Sequence, residues 1–595
     1  MPSGLTSYRP AITGTTHMVS SGHWLATAAG YRILEQGGNA IDAGVAAGIV
    51  LGTVLPHWVS FGGVAPMIIH RADRGETVSI DGLGRWPSAA NIEYFNSHSG
   101  GEIRSGVLQC ITPGAPDAYF SALKKYGSMS FEQIVTPALE LAETGFPTSI
   151  SLKEALEIGT AQTTAFELRT GSGTQGAEGN IHTWPSTNSI FMPDGKVPAI
   201  GQVIFQKDLA KTFSRLIAVE RSKSNKGREA ALEATRDFFY KGEIAKEITD
   251  FIQSQGGLLS MADMASYRVL IEPPTTGHFR DVEIRTCGPW SQGPVNIQAL
   301  QILESFDLKS MGHNSADYLH VIIEALKLSF ADREAFYGDP EFVDVPINGL
   351  TSKGYAAMRH QTIDMMNAFP EMPAAGDPWP YQGDNRSGIP RSPAQKDGPL
   401  QPDTSYACTV DRWGNAFSIT PSDGIYGAPI VPGLGMIASA RGSQSWLDPK
   451  HASSLQPGKR PRLTPNPAMA FKNGQFWMAY GTPGGDTQCQ SMVQSLLNMV
   501  EFGMNPQEAV EAPRVATFSF PSSFWPHSYY PGQAAAEARI EADVIENLKA
   551  RGHKIDVWEE WTGRVGNVCA IQIDRDKGII IGGADARREG YAMGR

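Results

Sequence analysis

Residues 402–424, PDTSYACTVDRWGNAFSITPSDG, decide how the rest of the chain is read. Tyr406, Cys408 and Val410 alternate with their neighbours up to the turn Arg412-Trp413-Gly414-Asn415, and the alternation resumes with Phe417 and Ile419. Period two on both sides of a glycine turn predicts a hairpin. Just upstream, residues 370–402 contain eight prolines and four glycines, a density that prevents regular helix or sheet and predicts a tether or exposed loop. The junction of tether and hairpin is Asp403-Thr404. If that peptide opened, Thr404 would carry a hydroxyl and a free α-amino group at the head of a strand. An α-amino group has a pKa near 7.7 to 8.0, suited to taking a hydroxyl proton near neutrality, so one residue supplies both nucleophile and base. The same threonine also suits the plainer role of a β-branched residue starting a strand.

Downstream, Gly481-Thr482-Pro483-Gly484-Gly485-Asp486 follows the apolar run Phe476 to Tyr480 and precedes a predicted helix over 488–502. Two successive glycines let a reacting group approach their backbone N–H groups, and a helix start adds partial positive charge, so the turn is able to stabilise an oxyanion. It also suits an ordinary strand-to-helix connection. Upstream, residues 22–56 predict two helices around Gly37-Gly38, whose small and apolar residues allow close packing before Pro56 stops the run. Residues 168–200 are rich in turn formers and predict a loop. Residues 316–335 predict an amphipathic helix capped by Ser315, with Leu319, Ile322, Ile323, Leu326 and Phe330 on one face.

Composition narrows the chemistry. The chain has 595 residues, 41% hydrophobic and 19% charged, too apolar for disorder, and its net charge of -11 argues against a nucleic-acid partner. Five scattered cysteines, none in a C-x-x-C spacing, indicate neither a disulfide framework nor a zinc site, and thirteen singly placed histidines indicate no metal centre. No phosphate-binding loop and no G-x-S-x-G elbow is present, and no cofactor is implied. The amino terminus lacks a basic segment followed by an apolar core, and the run Ala43 to Leu55 is too short to span a membrane, so the chain is read as soluble and cytoplasmic.

Together these pieces resemble the γ-glutamyltransferase family of N-terminal-nucleophile enzymes. The resemblance rests on GGNAIDAGVAAGIVLGTVLPH, the FGG of Phe61 to Gly63, ALKLSFADREAFYGDPEFVDVP, DTSYACTVDRWGNAFSITPSDG, PGKRPRLTPNPA, GTPGGD and GGADARREGYA, which occur in order through nearly the whole chain. It implies an α+β fold, a four-layer αββα sandwich. It also implies a precursor that cuts itself between Asp403 and Thr404, leaving a large chain (1–403, with 370–403 as tether) and a small chain (404–595) that stay associated as one interlocked body. By the same resemblance Thr404 is the nucleophile, Ser422 the hydroxyl bonded to it, and Gly484 and Gly485 the oxyanion hole.

The recognition positions depart from the family pattern. The arginine that holds a γ-glutamyl α-carboxylate aligns with Leu83, with Arg85 two residues on. The aspartate that holds the α-amino group aligns near Gln444, and a nearby glutamine position is Arg441. The paired serines align with Leu463-Thr464, and an asparagine contact with Gly424. Gln444 would bind an ammonium poorly and Arg441 would repel it. Arg85, Arg441, Gln444 and Thr464 are therefore the candidate substrate-binding residues. The expected function is hydrolysis of a small amide through a threonyl acyl-enzyme, with an amine acceptor as a second possible partner. A γ-glutamyl transpeptidase or glutathione hydrolase, and a non-catalytic binding or structural descendant, are the alternatives.

Overall fold

The computed structural model describes residues 7–158, 183–383, 388 and 404–595. The expected hairpin is present: strands Ala407–Val410 and Ala416–Ile419 pair antiparallel, with Thr409 opposite Phe417. Asp411 closes its turn by accepting from the backbone N–H groups of Trp413 and Asn415 at 2.9 and 3.0 Å, the usual contribution of an aspartate to a tight turn.

This hairpin is the middle of a seven-stranded antiparallel sheet. Its order is Tyr591–Gly594, Met18–Ser21, Ala407–Val410, Ala416–Ile419, Met67–Arg71, Glu76–Ile80 and Ile271–Glu272. A second seven-stranded sheet runs Ile12–Gly14, Ile579–Ala584, Cys569–Asp574, Gln475–Gly481, Ala468–Lys472, Val282–Thr286 and Thr275–Phe279. In both sheets, strands from before and after position 403 are neighbours.

Side-chain parity shows how the layers stack. Tyr406, Cys408, Val410 and Ile68 share an apolar cluster with Met469, Phe471, Ala479, Cys569 and Ile571 of the other sheet. The alternate residues Ala407, Phe417, Ile419, Met67 and Ile69 pack on the helices Trp24–Glu35 and Ala40–Val54. On the far side, Ala468, Ala470 and Met478 pack on the helices Pro294–Leu303, Ala316–Phe336 and Thr487–Val500. Three interfaces separate four layers, helix, sheet, sheet and helix, as expected for an α+β sandwich. Strands buried on both faces explain why the hairpin carries little charge.

The two helices expected in 22–56 are seen, the second opened by a capping box in which Asn39 and Asp42 exchange bonds with each other's backbone. Three expectations need correction or restriction. Of the loop expected over 168–200, residues 159–182 lie outside the described residues, and Pro185–Phe191 is a helix, because Pro185 supplies a ready-made first-turn φ. Within the tether, Trp379–Gln382 forms one helical turn, while 384–387 and 389–403 lie outside the described residues. The helix Ala316–Phe336 is capped by Ser315 as expected, but it is buried on every face from Tyr318 to Phe336 rather than amphipathic. Its polar side meets buried partners instead of water: Glu324 pairs with Lys327 at 2.8 Å, Asp332 with Arg359 at 3.3 Å, and Glu334 with Arg462 at 2.7 Å.

Candidate active site

Thr404 precedes one hairpin strand by three residues and Ser422 follows the other by three, so the antiparallel pairing alone brings them to the same end of the sheet. Ser405 N–H donates to Pro421 O at 3.0 Å and fixes this closure. Ser422 also exchanges backbone bonds with Val64, its N–H donating to Val64 O at 2.9 Å. A Cβ on Gly63 would collide with Ser422 O, which gives the FGG motif a physical reason: it lets this loop approach. The result is a hydrogen bond of 2.9 Å between Thr404 Oγ1 and Ser422 Oγ, with Thr404 only 1% exposed.

The other sheet contributes the opposite wall. The strand Gln475–Gly481 leads into the glycine turn, and the helix Thr487–Val500 begins straight after it, as expected. From the second residue of that helix, Gln488 Nε2 reaches Thr404 Oγ1 at 3.4 Å. Gly484 and Gly485 have φ of +127° and +56°, values that disfavour any side chain. Among the described residues, neither of their N–H groups donates a hydrogen bond, while both carbonyls are occupied. Two unused donors beside a helix N-terminus are suited to a negatively charged oxygen.

A buried network holds this turn. Gln292 Nε2 donates to Gly485 O at 2.8 Å and to Thr464 O at 2.9 Å, while its Oε1 accepts from Arg333 Nη1 at 3.1 Å. Asp486 accepts from Arg333 Nη1 at 2.5 Å and from Ser523 Oγ and N at 2.6 and 2.8 Å. The carboxylate therefore leaves its own helix start uncapped and ties the turn to the long buried helix.

The recognition candidates divide. Arg441, Gln444 and Thr464 join this site. Arg441 opens the 3₁₀ turn Arg441–Gln444 and is 1% exposed; its Nη2 donates to Ser422 Oγ. Its Nε lies 3.7 Å from Asp423 Oδ1, and the guanidinium sits 5.3 Å from the Phe524 ring centre. Burial raises the Asp423 carboxyl above the usual aspartate value, an effect that the Arg441 charge opposes. Gln444 Nε2 donates to Thr464 Oγ1 at 3.0 Å. Arg85 is engaged elsewhere: it pairs with Glu341 at 2.6 Å, lies 3.8 Å from Asp339 and donates to Gly458 O at 3.1 Å. Its neighbour Trp86 does reach the site turn, donating through Nε1 to Ser445 Oγ at 2.9 Å. Gln292, Gln488 and Asp423 were not singled out by the sequence reading. Gln488 had a signal, as the first residue of the helix predicted after the glycine turn, whereas Gln292 stands in no motif.

The arrangement brings together a buried hydroxyl, a second hydroxyl bonded to it, a guanidinium beside the pair, and, through Gln488, the helix that starts after the glycine turn. A family model for gamma-glutamyltranspeptidase matches residues 26–595. The chain belongs to the gamma-glutamyltranspeptidase family. This family member is 32% identical over 602 residues to the glutathione hydrolase proenzyme of Bacillus subtilis (strain 168), a match covering 100% of this chain and 94% of the relative. It is 33% identical over 599 residues to the Acylase ACY 1 proenzyme of Pseudomonas sp. (strain SE83), covering 98% and 94%. The crystal structure of cephalosporin acylase from Bacillus halodurans superposes with a TM-score of 0.81 at 28% identity, covering 100% of this chain and 98% of the other. The fold is thus shared with that acylase over the whole chain.

Proposed function

We propose that this family member is a self-processing amidohydrolase whose nucleophile is Thr404. Opening of the peptide between residues 403 and 404 frees the Thr404 α-amino group. That amine takes the proton as Oγ1 attacks an amide carbonyl, and the tetrahedral oxyanion is received by the N–H groups of Gly484 and Gly485. Collapse returns the proton to the departing amine and leaves an ester on Thr404. Water releases the acid, or an acceptor amine captures the acyl group. Ser422 holds Oγ1 in line, and Arg441 anchors Ser422 and lowers the cost of negative charge in the hydroxyl pair.

The observation that carries this reading is the 2.9 Å bond between the Thr404 and Ser422 hydroxyls, opposite two glycine N–H groups without acceptors among the described residues. Relatives named proenzymes, one an acylase and one a glutathione hydrolase, support processing and leave the acyl group open. The choice between them rests on charge. Arg441 and the neutral Gln444 favour an acyl group that bears a carboxylate or is neutral, and disfavour an ammonium. Mass spectrometry of purified protein tests the processing step, the expected result being a fragment that begins at Thr404. Assays of glutaryl-p-nitroanilide beside γ-glutamyl-p-nitroanilide test the acyl preference. Faster turnover of the γ-glutamyl compound would overturn that preference, and an uncut chain would overturn the mechanism.

A further inference from the structure

Thr404 is touched from the second sheet's side as well as from its own hairpin, and the group that reaches it is oriented by a row of buried amides. Asn296 is the third residue of the helix Pro294–Leu303, Asn466 stands two residues before the strand Ala468–Lys472, and Gln488 is the second residue of the helix Thr487–Val500. All three are 0% exposed. Asn296 Nδ2 donates to Asn466 Oδ1 at 3.1 Å. Asn466 donates to Gln488 Oε1 through both its backbone N–H and its Nδ2, each at 3.3 Å. Gln488 Nε2 in turn donates to Thr404 Oγ1 at 3.4 Å.

The direction of this row is set by backbone groups, which cannot exchange roles. Asn466 Nδ2 lies 2.9 Å from Thr464 O, a carbonyl that only accepts, so that atom is the amide nitrogen. The backbone N–H of Asn466 only donates, so the Gln488 atom it meets is the amide oxygen. The Gln488 nitrogen is thereby turned toward Thr404. An amide nitrogen is a donor only, so at this contact Oγ1 is the acceptor, whatever the state of its own proton.

At 3.4 Å the bond to a neutral hydroxyl is long and contributes little. A charged oxygen changes this, because hydrogen bonds to an ionised acceptor are shorter and roughly twice as strong. Oγ1 gains such charge twice in the proposed reaction. During acylation its proton passes to the Thr404 α-amine as Oγ1 bonds to the carbonyl carbon, and the C=O π pair moves to the carbonyl oxygen. During release, water gives a proton to that amine as it adds to the ester carbon. The C–Oγ1 bond then breaks, its electron pair stays on Oγ1, and the amine returns the proton to it.

We propose that Gln488 is a catalytic residue that donates to Thr404 Oγ1 while that oxygen is charged, with Asn466 and Asn296 as the positioning residues that aim it. The effect is greatest in release, where Oγ1 is the departing atom. The inference rests on the threonyl amidohydrolase reading and deepens it.

Variants of the processed protein, assayed with glutaryl-p-nitroanilide, test it. Gln488→Met keeps the length of the side chain without a donor. Its kcat is expected to fall about 10- to 100-fold with KM falling rather than rising, since an accumulating acyl-enzyme lowers KM. Mass spectrometry of acid-quenched reactions is expected to find the fragment that begins at Thr404 carrying the glutaryl group. Gln488→Glu keeps the shape and donates only when protonated, so its kcat relative to the parent is expected to rise about ten-fold between pH 8 and pH 5.5. A purely structural defect would not follow pH in this way. Adding Asn466→Ala to Gln488→Met is expected to cost little beyond the single change, because both act through one bond. A kcat within about two-fold of the parent in Gln488→Met, or a flat Glu-to-parent ratio across pH, overturns the proposal and leaves the amidohydrolase reading standing. Turnover that survives Thr404→Ala would instead sink that reading, and the proposal with it.

Discussion

Thr404 Oγ1 and Ser422 Oγ meet at 2.9 Å across a hairpin, with 1% and 0% of the two residues exposed, and Arg441 donates to the same serine hydroxyl. That bond gives the Thr404 hydroxyl a defined direction, which is what the proposed nucleophile needs before a substrate arrives.

Thr404→Ala is expected to leave a single uncut chain without amidase activity, and Thr404→Ser to restore both cutting and turnover in part. Ser422→Ala is expected to lower kcat about 10- to 100-fold with a smaller change in KM, since it removes a bond to the nucleophile rather than to substrate. Denaturing gels and steady-state kinetics on the purified variants check both.

Gly484→Ala forces a side chain onto a φ of +127° and against Thr487 Oγ1. The turn must shift, and its N–H groups with it. A loss of about 10²-fold or more in kcat is expected, with the processed fragments still associated in size-exclusion chromatography. Unchanged kcat would remove this turn from the chemistry.

Arg441→Gln combined with Gln444→Asp replaces the cation with a neutral amide and adds a carboxylate where an ammonium would be held. The ratio of γ-glutamyl-p-nitroanilide to glutaryl-p-nitroanilide hydrolysis is expected to rise about ten-fold or more. A falling ratio would show that Arg441 does not read the acyl group.

His451 supplies a pH dependence whose sign is fixed. Its Nδ1 accepts from Ser453 N–H at 3.0 Å, and burial, opposed by Glu334, lowers the ring from 6.5 to about 4. The unfolded chain therefore binds a proton between pH 6.5 and 4 that the native ring refuses, and stability falls as the medium is acidified through that window. This ring contributes up to about 3 kcal/mol of that loss. Urea midpoints at pH 7 and 4.5 should differ less in His451→Gln than in the parent, and an equal difference would refute the assignment.

The hairpin, the strand–turn–helix at Gly484 and the two helices before Pro56 could be read in the sequence because each is local: period two, paired glycines and a proline stop carry their own physics. The pattern over 316–335 places the long helix correctly but implies a solvent face that Ala316–Phe336 does not have. Its charges are satisfied by residues such as Arg359, Arg462 and Asp486, far away in sequence. The same reason hid Gln292, whose three side-chain bonds all cross to distant segments. Arg85 illustrates the converse: its position near the family's carboxylate contact suggests substrate, but its guanidinium is paired with Glu341 at 2.6 Å, a partner far away in sequence.

The interleaving of strands from either side of position 403 bears on what the proposed scission would do to the molecule. The last strand, Tyr591–Gly594, is zipped to Met18–Ser21, which is zipped in turn to Ala407–Val410, so early and late segments clasp one another twice over. A nick at that junction would leave two halves whose separation requires dismantling both sheets. Neither half owns a complete sheet, so each would depend on the other for its fold.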